Sequence, residues 1–177
     1  MKTITKIIAI AILMIGFYSS SFAQSSANAS ATATIITPIS ITKNTDMNFG
    51  NIAATSLAGT VSLVVGNTRT TTGGVTLPTG GNAGTVTVAS YTVTGEGAYT
   101  YAITIPGGNV TLYHTIGTDL MLANGFFSFP ATTGALTAGT QTLKVGATLN
   151  VGASQLSGVY ATTNGAGVPF AVTVNYN

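Results

Sequence analysis

Residues 143–151 read LKVGATLNV, and residues 168–176 read VPFAVTVNY. In the first stretch Leu143, Val145, Ala147, Leu149 and Val151 hold every second position; in the second, Val168, Phe170, Val172, Val174 and Tyr176 do. Successive side chains of a strand point to opposite faces, so period two predicts a strand with one buried face. A helix needs apolar residues three and four apart, and no window of a dozen residues beyond the N-terminal segment has that spacing.

The same pattern recurs outward from these stretches. Val61, Leu63 and Val65 alternate, as do Tyr99, Tyr101, Ile103 and Ile105, then Val110 and Leu112 after Gly107-Gly108-Asn109. Residues 27–41 carry Ala27, Ala29, Ala31, Ala33, Ile35, Ile39 and Ile41 at odd positions, with Thr37 the exception. Residues 86–93 change parity around Ala89-Ser90, which predicts a β-bulge. Gly73-Gly74, Gly80-Gly81 and Gly107-Gly108 read as hairpin turns. Threonine makes up about one residue in five after position 23, and its branched side chain suits a pleated, half-buried surface. With crossover helices missing, the expectation is all-β: one antiparallel Ig-like β-sandwich of about nine to eleven strands over residues 24–177. The strict alternation of the last strand, 170–176, places it centrally in that expectation.

Residues 1–23 read as a cleaved signal peptide. Lys2 and Lys6 precede an apolar run over residues 7–18, and Ser21 and Ala23 offer small residues for cleavage before Gln24. This implies an exported protein of the periplasm, cell surface or extracellular space. No later run reaches the roughly 18 apolar residues of a membrane helix, so no membrane insertion is expected.

Loss of Lys2 and Lys6 would leave Lys43, Arg69 and Lys144 against Asp46, Glu96 and Asp119, a net charge of zero. No basic patch is present to bind nucleic acid. The chain has no cysteine, hence no disulfide and no thiol for lipid attachment.

The ordered segments ATATIITPISITKNTDMNFGNIA, AGTVSL, YTVTGEGAYTYAITIP, LKVGATLNV and SGVYATTNGAGVPFAVTVNYN resemble a bacterial family catalogued as domain of unknown function 4402. Asn48-Phe49-Gly50, Val145-Gly146 and Val172-Thr173-Val174-Asn175-Tyr176 are the most specific parts. Residues 161–169 are longer than the family's usual link before the last strand. More distantly, the layout is similar to pilins assembled by chaperone and usher and to spore-coat U type proteins. Those share an alternating N-terminal segment and a last strand with a penultimate tyrosine, here Tyr176.

Chemistry-bearing residues are few. His114, the single imidazole, shares parity with Val110 and Leu112 and so belongs to an apolar face or its rim. Asp119 lies near it in sequence, but no Gly-x-Ser-x-Gly elbow supplies a nucleophile. Glu96 sits in Gly95-Glu96-Gly97, read as an exposed turn. No spacing of cysteine, histidine or aspartate predicts a metal site. Phe126, Phe127 and Phe129 read as core, with a sugar-stacking platform as the alternative. No catalytic, cofactor-binding or metal-binding residue is therefore assigned, and an enzyme is not expected.

Three roles remain open. The first is a non-enzymatic structural protein of the bacterial surface or envelope, a pilin-like or matrix subunit; its residues 27–41 read as a strand that pairs within its own domain, with strand addition to another copy as the alternative. The second is a soluble glycan- or peptide-binding module. The third is an eight-stranded outer-membrane barrel, against which the small alanine and threonine side chains speak.

Overall fold

The computed structural model describes residues 3–8 and 24–177. Residues 3–8 are helical; the rest of the expected signal segment lies outside the described residues. Two units are distinguished, Met1–Ile35 and Ile36–Asn177. In the first, residues 24–35 have no regular structure and are exposed.

The second unit is an all-β sandwich of thirteen strands, every named pairing antiparallel. In chain order they are β1 Ser40–Thr45, β2 Asn48–Phe49, β3 Ala53–Val64, β4 Thr68–Thr76, β5 Val86–Thr87, β6 Ala89–Thr94, β7 Thr100–Thr104, β8 Val110–His114, β9 Leu120–Phe129, β10 Thr133–Ala135, β11 Thr140–Val151, β12 Tyr160–Ala161 and β13 Thr173–Tyr176. A single 3-10 turn, Gly80–Ala83, interrupts them.

One eight-stranded sheet runs β1-β6-β11-β9-β8-β12, with the β3-β4 ribbon joined to β11. Strand β11 organises it. Its first half pairs with β6 (Leu143 opposite Tyr91), its second half with β3 (Leu149 opposite Val61), and β9 runs along its other edge. Two smaller sheets, β10-β7-β13 and β2-β5, complete the fold. The sheets keep free edges, so the architecture is an open sandwich rather than a closed barrel.

The alternation that identified β11 does the packing. Leu143, Val145 and Ala147 are fully buried, and Leu149 and Val151 nearly so. Leu143 and Val145 meet Tyr101, Ile103, Leu136 and Val174 in one half of the core. Ala147, Leu149 and Val151 meet Phe49, Val61, Leu63 and Val75 in the other. Met47 and Phe126 touch both halves. At about 25 cal/mol per Å² of apolar area, the fully buried leucines and valines dominate stability.

Four expectations need correction. The 27–41 alternation does not become a strand along its length, because β1 begins at Ser40 and residues 24–39 carry no strand. Alanine methyl groups bury little area, and Pro38 lacks the N–H a ladder needs. The last strand is not central: β13 pairs only with β7 and stands at a sheet edge. Alternation reports which face is buried, not how many neighbours flank a strand. The parity change near Ala89 is a change of sheet rather than a bulge, since β5 pairs with β2 and β6 pairs with β1 and β11. Gly73-Gly74 lies inside β4, not in a turn; a Cβ on Gly73 would stand 2.4 Å from the Ala58 carbonyl oxygen, so glycine permits close approach of β4 to β3.

Candidate functional surfaces

His114 ends β8, and Asp119 precedes β9 at the other side of the hairpin turn. Their side chains do not form a catalytic pair. The Asp119 carboxylate accepts hydrogen bonds from the Tyr160 hydroxyl (2.6 Å), Gln155 Nε2 (2.7 Å) and the Leu156 N–H (3.3 Å) on one oxygen. Its other oxygen takes the Leu120 N–H at 3.0 Å. The Tyr160 bond is the main cause holding Asp119 below its ordinary pKa, while burial foremost pushes Tyr160 up. The His114 ring stands edge-on to Tyr160, centroids 4.8 Å apart. Its Nδ1 accepts from the Ile116 N–H at 3.0 Å, and Nε2 lies 3.1 Å from the Ser157 carbonyl oxygen. Both nitrogens are therefore engaged by backbone. A general base needs a free nitrogen within reach of the proton it takes. The cluster instead clasps residues 152–160 onto the β8-β9 hairpin.

Sequence reading picked out His114 and Asp119 but missed Tyr160 and Gln155, about forty positions on; nothing local in the sequence signals such a pairing. A shallow hollow of about 500 Å³ beside the clasp is lined by Gly59, Met121, Leu122, Asn150 and Gln155. Asn150 Nδ2 donates to the Leu122 carbonyl at 3.0 Å, so its amide also serves the fold.

Glu96 lies in the turn after β6, as expected. Its carboxylate accepts the Thr37 N–H at 2.9 Å, which lowers its pKa. The same corner holds Tyr176: its hydroxyl accepts from the Glu96 N–H at 2.6 Å and donates to the Thr37 carbonyl at 2.7 Å. Asp46 pairs with Lys43 at 2.6 Å on the exposed surface. Arg69 Nη1 donates to the carbonyls of Phe49 (2.6 Å) and Asn51 (2.8 Å), tying β4 to the end of β2. Glu96 and Arg69 thus each hold one part of the fold to another, whereas Lys43 and Asp46 pair locally, three positions apart. Among the described residues no group of three or more histidine, cysteine or acidic side chains could hold a metal ion.

The three phenylalanines separate by parity. Phe126 packs inward on both core halves and against the Phe170 ring at 5.2 Å. Phe127 and Phe129 stand opposite Gly146 and Lys144 of β11, positions that alternate with its buried residues, and so face outward. Phe129 is 64% exposed. Core packing thus holds for Phe126 alone. Around the two outward rings that face of the large sheet carries Lys144 of β11 and cross-strand hydroxyl and amide pairs: Ser40 with Thr94 (2.9 Å), Asn44 with Thr92 (2.9 Å), Thr60 with Thr72 (2.7 Å) and Thr148 with Ser62 (3.2 Å).

The edges of the sheets differ. β1 carries Lys43 and a register shift beside it, and β4 carries Arg69 and faces a register shift in β3. Charge and irregularity of this kind block pairing with another chain. β13, Thr173–Tyr176, has neither, and Val172 and Phe170 before it are half-buried against the core that holds Val174.

The antiparallel sandwich, with Asp119 and Glu96 hydrogen-bonded into its loops, defines an all-β domain. The particular family is shown directly: residues 39–176 match the family described as domain of unknown function (DUF4402), and the chain belongs to it. Comparison with curated proteins and with solved structures returned no match.

Proposed function

We propose that this chain is an exported, non-enzymatic structural protein of the bacterial surface or envelope, a subunit whose partner is another copy of itself. The observation that carries this reading is the use of the titratable groups. Asp119, Glu96, Asp46 and Arg69 each bind a structural partner, and His114 has both nitrogens on backbone. Chemical function elsewhere in proteins requires such groups to converge on free space. The neutral threonine-rich face supports dense packing of copies, since it opposes no like charge at close range. The N-terminal pattern of Lys2, Lys6 and the apolar run at 7–18 supports export to the periplasm, cell surface or medium.

The test is imaging and size analysis of the protein recovered from its native cell envelope. Repeating assemblies in that fraction are expected. A uniform cytoplasmic monomer, or turnover in an activity screen that is lost in His114→Ala or Asp119→Ala, would overturn the reading.

A second reading, a glycan-binding module, is favoured by one observation. Phe129 is exposed on a flat face beside Phe127 and neutral hydroxyl groups, and an aromatic face can stack on a sugar ring. Binding to an array of neutral polysaccharides, lost in Phe129→Ala, would support it.

A further inference from the structure

We propose that the free edge of β13 is the acceptor for residues 24–35 of a second copy of this chain, which adds to it as an extra strand. The inference rests on the structural-subunit reading and specifies its contact.

Three observations on the acceptor lead there. β13 is paired on one side only, with β7. It lacks the charged residues and register shifts that guard β1 and β4. The core beneath it is incompletely covered, because Phe170, Val172, Tyr176, Ile39 and Ile41 remain only half-buried against the cluster containing Val174. An added strand would supply backbone partners to the edge and apolar side chains to that core.

Residues 24–35 have the complementary properties. They are exposed, belong to no strand and contain no charge. Ala27, Ala29, Ala31, Ala33 and Ile35 occupy one face in an extended chain, and Asn28, Ser30, Thr32 and Thr34 the other. At about 3.3 Å per residue, twelve extended residues span roughly 40 Å, more than the edge from Phe170 to Tyr176 requires. Small methyl groups fit a narrow cleft, and Ile35 supplies the bulk at one end.

The geometry favours a second copy over self-insertion. The Thr37 carbonyl is held by the Tyr176 hydroxyl at the C-terminal end of β13. For the same chain to lie along its own β13, it would have to reverse just before that point. Residues 24–39 contain no turn, and Thr37 precedes Pro38, which favours extended backbone. Donor and acceptor are different surfaces, so the contact is head-to-tail and propagates into a filament.

The native chain has no cysteine, so single thiols report the contact cleanly. Full-length Thr32→Cys and Asn175→Cys variants, both at exposed positions and both on the outer face of the added sheet, are produced together in the native host and oxidised. A cross-linked heterodimer is expected from this pair and not from Thr32→Cys with Thr72→Cys, on the guarded β4. The double variant, Thr32→Cys with Asn175→Cys in one chain, should give a ladder of multimers. Assemblies that form without the cross-link would overturn the acceptor assignment while leaving the structural-subunit reading standing. A double variant that closes only on itself would overturn the second copy as donor. Chains that never associate would overturn both. As a second measurement, a synthetic peptide of residues 24–35 should shorten the ladder, and its Ala31→Asp form should lose that effect at least tenfold; equal potency of the two peptides would count against insertion of the alanine face.

Discussion

The Tyr176 hydroxyl reaches the Thr37 carbonyl at 2.7 Å across 139 positions of sequence. It joins the point where the chain enters the sandwich to the point where it ends. The same oxygen accepts the Glu96 N–H, and Glu96 returns its carboxylate to the Thr37 N–H. Gly95 makes room for this knot, since a Cβ there would lie 2.3 Å from the hydroxyl.

Tyr176→Phe keeps the ring, including its edge contact with Tyr99 at 5.5 Å, and removes both hydroxyl bonds. A net hydrogen bond contributes about 1 kcal/mol, so a loss of about 1–2 kcal/mol is expected. Urea unfolding should show a lower midpoint at unchanged slope. An unchanged midpoint would mean that the knot does not contribute to stability.

The Asp119 clasp gives the fold an acid-side dependence. The folded pKa is lowered, chiefly by the Tyr160 hydroxyl, so the stabilisation is present above the ordinary carboxylate pKa of 3.8 and is lost as the pH falls through the lower folded value. Glu96 shifts in the same direction through Thr37. Asp119→Asn should therefore melt below the native protein at about pH 7, and the difference should narrow as the pH falls through the lowered folded pKa of Asp119. A gap of constant size across that range would assign the effect to something other than charge.

Two glycines should behave oppositely. A Cβ on Gly146 would lie 2.3 Å from the Leu63 carbonyl oxygen and 2.3 Å from the Phe127 ring, whereas Gly107 has nothing within 4 Å. Gly146→Ala should cost about 1–3 kcal/mol as overpacking, and Gly107→Ala should stay within about 0.5 kcal/mol of the native protein. Thermal unfolding of the two side by side decides this.

Leu143 is fully buried, while Ile35 is 98% exposed. Leu143→Ala is expected to cost about 2–5 kcal/mol. Ile35→Ala should leave the stability of the isolated chain unchanged, because no buried area is lost. A large loss from Ile35→Ala in a monomeric sample would place the N-terminal segment in the fold of its own chain.

Most of the fold was legible because alternation is a local consequence of strand geometry. Val61, Leu63, Tyr101, Ile103, Leu143, Leu149 and Val174 are buried as their parity requires. Neighbour relations were not legible. Parity placed the face of β13 but said nothing of its empty edge, and it could not tell a bulge at Ala89 from a strand leaving one sheet for another. Ala27–Ala33 alternates as cleanly as β11, yet its methyl groups bury little area and the segment forms no strand. In the Asp119 cluster, Tyr160 and Gln155 are brought in by the return of a long loop, and such meetings leave no periodic trace. Phe127 and Phe129 read as core in the sequence, yet they stand on the outer face, since Ser128 between them is the buried residue.

The three ladder partners of β11, namely β3, β6 and β9, all precede it in the chain. Before residue 140 is available, β1 with β6, β3 with β4, and β8 with β9 exist only as separate ribbons, each marginal in water. A chain delivered N-terminus first, from a ribosome or through a narrow channel, therefore remains threadable until its final fifth emerges. During that interval its ribbons present unpaired backbone to any chain nearby. The order of the strands thus sets a timing: the large sheet closes only once β11, from residue 140 onward, is available.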